Sequence, residues 1–300
     1  MIKKILQKFS ALISLCLIVF LWQTMPVFAQ QNTAPSINSG SGLGASYNWA
    51  GYTATDGPFS GVGGSWVVPQ PSGSGVSADA AWVGIGGINS NDLIQAGTFA
   101  KIDANNQIVY QAFYETLPDA LQTIPLIINP GDAVEASLTQ QPNNIWQISF
   151  RDNTSGQNFQ TEITYVSSLS SGEWIEEMPS SLNGRFIPLD NFGTLQFSSL
   201  WAIQNGVVSN LSQIGAQPMA MLNSSQQALA QPSALASDGA SFSITRTSSS
   251  VTQTPAASGR GNWHRIEINI QNLQPFSIGT HSWRFEWHFG YNGASFFFAP

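Results

Sequence analysis

The chain of 300 residues is short of the side chains on which most hydrolytic centres are built. It has one cysteine, Cys16, and three histidines, His264, His281 and His288, all within the last forty residues. A cysteine–histidine or serine–histidine centre in the main body is therefore excluded. Charged residues make up only 9% of the sequence, so Ser, Thr, Asn and Gln must carry most of the surface. None of the glycine-rich stretches has the spacing of a phosphate-binding loop. If such a chain is an enzyme without a cofactor, its base must be a carboxylate.

What the chain does have begins with an export plan. Lys3, Lys4 and Lys8 precede an apolar run from Ala11 to Trp22, and Val27-Phe28-Ala29 supplies the small residues that a signal peptidase reads. Residues 1–29 are expected to be a signal peptide, and the protein to be secreted and extracellular. Leu15 before Cys16 argues against lipid attachment. Without the three signal lysines, seven basic residues face 17 acids, and Lys101 is the last lysine left. That balance speaks against nucleic acid or an anionic membrane as partner. A mature chain free of cysteine must rely on its core rather than on disulfides.

Residues 30–45 are polar and rich in Gly and Ser, as expected of a flexible leader or short propeptide. From Tyr47 the signal is β. Val134, Ala136 and Leu138 alternate with Glu135, Ser137 and Thr139 after an Asn129-Pro130-Gly131-Asp132 turn. Trp146, Ile148 and Phe150 alternate with Gln147, Ser149 and Arg151 before the Asp152–Gly156 turn cluster, and Ile163 and Tyr165 continue the pattern. Short alternating strands between turn clusters predict an all-β, antiparallel sandwich. Gln213 to Ala230 is the least clear stretch. Residues 248–300 are expected to hold a linker and a β-hairpin extension, with Ile266, Ile268, Ile270 and Trp283, Phe285, Trp287, Phe289 as apolar faces.

Two distant segments carry candidate chemistry: Leu93-Ile94-Gln95-Ala96-Gly97 and Gly172-Glu173-Trp174-Ile175-Glu176-Glu177. On a strand, Glu173, Ile175 and Glu177 share one face while Trp174 and Glu176 share the other. Two carboxylates on one face beside aromatics suit acid–base work. The same pattern also suits a solvated edge strand made acidic against aggregation, and spacing alone favours that second reading.

A wider set of segments bears on the choice. Tyr47-Asn48-Trp49-Ala50-Gly51-Tyr52, Trp66-Val67-Val68-Pro69 and Trp82-Val83-Gly84-Ile85-Gly86-Gly87 precede the glutamine segment, and Phe113-Tyr114-Glu115-Thr116-Leu117-Pro118 lies between it and the acidic one. This succession resembles the glutamic peptidases, the eqolisin family of pepstatin-insensitive acid proteases, over residues 46–247. The resemblance implies a sandwich of two long, curved, concanavalin-like sheets with the active site on a concave face. It implies a catalytic dyad of Gln95 and Glu177, with Trp49, Trp82, Glu115 and Glu173 at substrate-binding positions of the cleft, no metal and no cofactor. The expected function is then a secreted, monomeric acid endopeptidase acting on proteins or peptides. Ionised Glu177 would take a proton from water, the amide of Gln95 would donate to the oxyanion, and protonated Glu177 would pass its proton to the leaving amine. An ordinary glutamate titrates near about 4.3 and so remains a usable base in acid, where a histidine is protonated.

The sequence departs from the fungal pattern at three cleft positions. Gly86 and Gln111 stand where aspartates are expected, and Phe113 replaces a tryptophan. Two rival readings use the same strands: a glycoside hydrolase working through Glu173 and Glu177, and a lectin-like binder in which the tryptophans stack on sugar. Gln95 has no role in either. His281, Glu286 and His288 have the wrong strand parity for a shared metal.

Overall fold

A computed structural model describes residues 44–88, 90–181 and 185–247. The predicted hairpin beyond residue 247 and the signal segment lie outside the described residues. Among the described residues, sixteen strands run in chain order. They are β1 (Gly44–Ser46), β2 (Trp49–Ala54), β3 (Phe59–Val67), β4 (Ser77–Gly86), β5 (Leu93–Ile102) and β6 (Ile108–Thr116). Then come β7 (Gln122–Ile124), β8 (Ala133–Gln141), β9 (Ile145–Asp152), β10 (Asn158–Thr164) and β11 (Gly172–Glu177). The last are β12 (Thr194–Gln204), β13 (Val207–Ser209), β14 (Gln217–Leu222), β15 (Ala228–Pro232) and β16 (Phe242–Arg246). The helical content of the described residues is a single turn at Pro142–Asn144.

Hydrogen bonding follows one path, β10-β9-β8-β3-β12-β16-β15-β14-β2-β11-β4-β5-β6-β7, with β1 beside β14 and β13 beside β12. The pairings are antiparallel, apart from β1 with β14. The path folds over on itself, so the two expected layers are joined into a nearly closed sandwich. Between the layers lies the main core. Val62 and Trp66 of β3, Leu138 of β8, Ile148 of β9 and Phe197 of β12 meet Tyr52 of β2, Val83 of β4, Ile94 of β5 and Trp174 of β11 there. Two indoles tie the layers: Trp174 Nε1 donates to the Gly63 carbonyl at 3.1 Å, and Trp66 Nε1 donates to Thr98 Oγ1 at 2.9 Å.

The burial patterns explain which strands the sequence displayed clearly. Strands β8 to β10 have one wet face and alternate in burial. Strands β4, β5 and β11 are buried along their whole length. A strand covered on both sides has no reason to alternate. The second cover of β4, β5 and β11 is a smaller apolar cluster on the face away from the main core. It includes Trp49, Trp82, Leu93, Phe99, Phe113 and Ile175. This second face holds the candidate site.

Candidate active site

Strand β11 is an interior strand, paired with β2 on one side and β4 on the other. The reading of Glu173–Glu177 as a solvated acidic edge is thereby overturned. Glu173, Glu176 and Glu177 are all fully buried. The parity expected from the sequence holds: Trp174 belongs to the main core and Ile175 to the smaller cluster. Glu173 and Glu177 therefore flank Ile175 on the second face, and Glu176 looks into the sandwich.

Uncharged N–H groups of Trp82 and Asn48 hold Glu177. Trp82 Nε1 donates to Oε2 at 2.9 Å, and Asn48 Nδ2 donates to Oε1 at 3.3 Å. Trp82 is placed by β4, where it stands opposite Ile175. Its ring meets Trp49 edge-on, with centroids 5.0 Å apart. Room for it comes from β5, since a Cβ on Gly97 would lie 2.6 Å from Trp82 Cβ and 2.2 Å from the Ala81 carbonyl oxygen. That close approach is the physical content of the glycine in the Gln95-Ala96-Gly97 segment. Asn48 is oriented in turn, because Ser46 Oγ donates to its Oδ1 at 3.2 Å and leaves the amide nitrogen for Glu177. Asn48 lies in the Tyr47–Tyr52 segment, and the short polar pair Ser46 and Asn48 before Trp49 is the sequence signal of its role.

Gln95 sits on the same face of the sheet, two strands from β11. Its row reads Thr53, Glu173, Gly84, Gln95 and Glu115 across β2, β11, β4, β5 and β6. The amide of Gln95 donates from Nε2 to Glu115 Oε2 at 2.5 Å, and its Oε1 has no hydrogen-bond partner. Glu115 can only accept in its ionised form, so this bond fixes which end of the amide is the donor. Glu115, expected at the cleft as a substrate contact, stands beside Gln95 and accepts its amide hydrogen.

Glu173 is placed differently from Glu177. Burial pushes its carboxyl well above the usual range, against a smaller opposing effect of the Ser171 hydroxyl. Beyond that weak influence of Ser171, neither of its oxygens has a well-formed hydrogen bond. A Cβ on Gly84 would lie 2.8 Å from Trp82 Cζ3. The Trp82 ring thus leans over the glycine that separates Glu173 from Gln95, and turns its N–H toward Glu177.

The departures from the fungal pattern have local explanations. Gly86 has a φ of +94°, and a Cβ there would lie 2.6 Å from the Asp92 carbonyl and 3.0 Å from Asp92 Oδ2. An acid is therefore present beside Gly86, supplied by Asp92. Burial raises the Asp92 pKa, but hydrogen bonds from Ser168 and Ser167 outweigh it and hold the group below its ordinary value. Gln111 donates its amide to the carbonyls of Ile124 and Ala112, at 2.8 and 3.1 Å, and so ties β6 to β7. Phe113 is buried in the smaller cluster, 6.2 Å from the Phe99 ring. Among the described residues, no group of three or more His, Cys, Asp or Glu side chains has the arrangement to hold a metal ion.

Comparison with known proteins places this architecture. Residues 47–246 match the model of the peptidase A4 family. The structure of scytalido-glutamic peptidase with a transition state analog inhibitor superposes with a TM-score of 0.59 at 23% identity, covering 67% of this chain and 98% of that one. SCP-B, a member of the eqolisin family in complex with the tripeptide Ala-Ile-His, gives a TM-score of 0.56 at 22% identity, covering 67% of this chain and 98% of its own. Aspergilloglutamic peptidase from Aspergillus niger gives 0.51 at 22% identity, covering 57% of this chain and 99% of its own. At these identities the likeness carries the fold. No curated protein matches the chain.

Proposed function

This chain belongs to the peptidase A4 family of glutamic peptidases, and from that premise we propose that Glu177 and Gln95 are its catalytic pair. The reading rests first on Glu177, a buried carboxylate held by N–H donors on the sheet face that also bears the Gln95 amide. Trp82 and Asn48 carry no proton that is lost or gained in the working range, so they position Glu177 without competing for its proton. Ionised Glu177 takes a proton from a water that attacks the scissile carbonyl. Gln95 Nε2 has two hydrogens. One is engaged by Glu115, and the other is free to meet the developing oxyanion. Protonated Glu177 then delivers its proton to the leaving nitrogen. Trp49, Trp82 and Glu173, buried on the same face, are the proposed substrate-binding residues.

The protein is read as an acid endopeptidase because its base is a carboxylate, and as secreted because residues 1–29 have the export pattern. The glycoside hydrolase alternative is less well supported. Glu173 and Glu177 are four residues apart on one strand, about 13 Å along the backbone, against the roughly 5–9.5 Å between carboxyl groups that glycosidic mechanisms use.

The deciding experiment compares mature wild type, Glu177→Gln and Glu173→Gln on unfolded protein and on polysaccharide at acid pH, with pepstatin and a chelator present. The expected outcome is proteolysis by wild type and by Glu173→Gln, none by Glu177→Gln, and no polysaccharide cleavage. Proteolysis retained in Glu177→Gln would sink the mechanism.

A further inference from the structure

The face of β11 turned away from the catalytic pair carries a second group of acids that peptide hydrolysis does not use. Glu176 of β11 stands opposite Ala81 of β4, and Asp79 lies two residues further along β4 on the same face. Asp190 follows Leu189, which bridges to Ala78, so a third carboxyl reaches the same place from another segment. All three are at most 3% exposed. Asp79 Oδ1 and both carboxyl oxygens of Glu176 and of Asp190 are buried and find no donor outside the group itself. The surroundings supply little charge to balance them. Tyr110 of β6 faces the group, standing opposite Ala100, which is itself opposite Asp79. Arg246, at the end of β16, is the neighbouring cation, but its Nε and Nη1 donate to the backbone carbonyls of Asp190, Leu229 and Thr247. Glu177 adds a further negative charge from the other side of the strand.

Three carboxyl groups in such a place satisfy one another only by sharing protons. A carboxylic acid can donate to a carboxylate, whereas two carboxylates both accept and repel. We propose that Glu176, Asp79 and Asp190 form a proton-operated latch inside the sandwich, closed in acid and released as the medium turns neutral. The latch confines the folded enzyme to acid surroundings independently of the titration of its catalytic base. Because β11 is interior, release does not fray an edge; it separates β11 from β4 and opens the sandwich.

The direction of the pH dependence follows from the groups themselves. Burial pushes Asp79 up to about 6, and hydrogen bonds from Asp190 and Glu176 hold it from rising further, which makes Asp79 the acceptor of the shared protons. Burial, then the charge of Asp79, pushes Asp190 up to about 10 against the pull of Arg246. Glu176 is pushed well above its usual range by burial and then by the two aspartates. In the unfolded chain these groups titrate near about 4. The folded state therefore holds extra protons above about pH 4, and its stability is fully present below that value. It declines as the pH rises through about 6 and toward about 10.

The test follows folding of the mature chain against pH by circular dichroism, for wild type, Glu176→Gln, Asp190→Asn and the double variant. Each neutral amide is expected to move the alkaline unfolding midpoint upward by about one pH unit, while hydrolysis in acid stays within about twofold of wild type. Should a variant fail to fold, infrared spectroscopy of wild type gives an independent reading. Protonated-carboxyl absorbance beyond the share removed by Glu173→Gln should persist in the folded protein at about pH 6.5, where ordinary carboxyls are ionised, and vanish on unfolding. An unchanged midpoint in every folded variant would overturn the latch, as would the absence of that absorbance. A midpoint raised by added calcium would show instead that a cation, not a proton, bridges the acids.

Discussion

Glu176 and Glu177 are neighbours on one strand, equally buried, and they live in opposite chemical settings. Glu177 faces the smaller aromatic cluster and receives N–H bonds from Trp82 and Asn48. Glu176 faces the main core and receives none; its company is Asp79 and Asp190. The contrast shows that burial alone does not decide what a carboxyl can do. Donors that cannot themselves titrate favour the charged form, which a base needs. Neighbours that are themselves acids favour the shared proton, which serves cohesion. Strand alternation separates the two settings by a single residue.

Substitutions on either face of β11 separate the two glutamates. The largest effect is expected on the Glu177 side. Glu177→Gln removes base and acid together and should lower kcat/KM on a peptide substrate by at least about 10³-fold, with an unchanged circular dichroism spectrum. Gln95→Ala removes the oxyanion donor and should cost about 10²–10³-fold, mostly in kcat. Trp82→Phe keeps the ring but deletes the N–H to Glu177. A hydrogen bond to a charged group contributes about 1.5–3 kcal/mol, so a fall of about ten- to a hundredfold is expected, with a displaced pH–rate profile as the mark of a positioning role. The smallest effect on rate belongs to Glu176→Gln, whose change should appear in the alkaline stability limit instead. A Glu176→Gln protein as inactive as Glu177→Gln would erase the distinction between the two faces.

The layout of the fold was legible wherever a strand has one wet face. The alternation in Val134–Thr139 and Trp146–Arg151 gave β8 and β9 directly. The strands around the site were harder to see. β4 and β5 are covered on both sides, and β11 bears three glutamates that composition assigns to solvent. There the order of motifs, rather than periodicity, pointed to Gln95 and Glu177. The pairing of Gln95 with Glu115 depends on the register of β5 with β6, and Glu176 meets Asp79 only through the register of β11 with β4. Asp190 arrives from a loop with no regular pattern. None of these meetings is encoded in local spacing, because each depends on how distant segments align once the sandwich has closed.

Gly86 also bears on how this chain can change. An aspartate restored there would meet the Asp92 carbonyl and would have to adopt a left-handed backbone. No single substitution leads back. An acid at position 86 therefore needs the turn and Asp92 to change together. Grafting cleft residues from the fungal enzymes one position at a time should therefore fail at this turn, whereas exchange of the whole segment 86–92 should succeed.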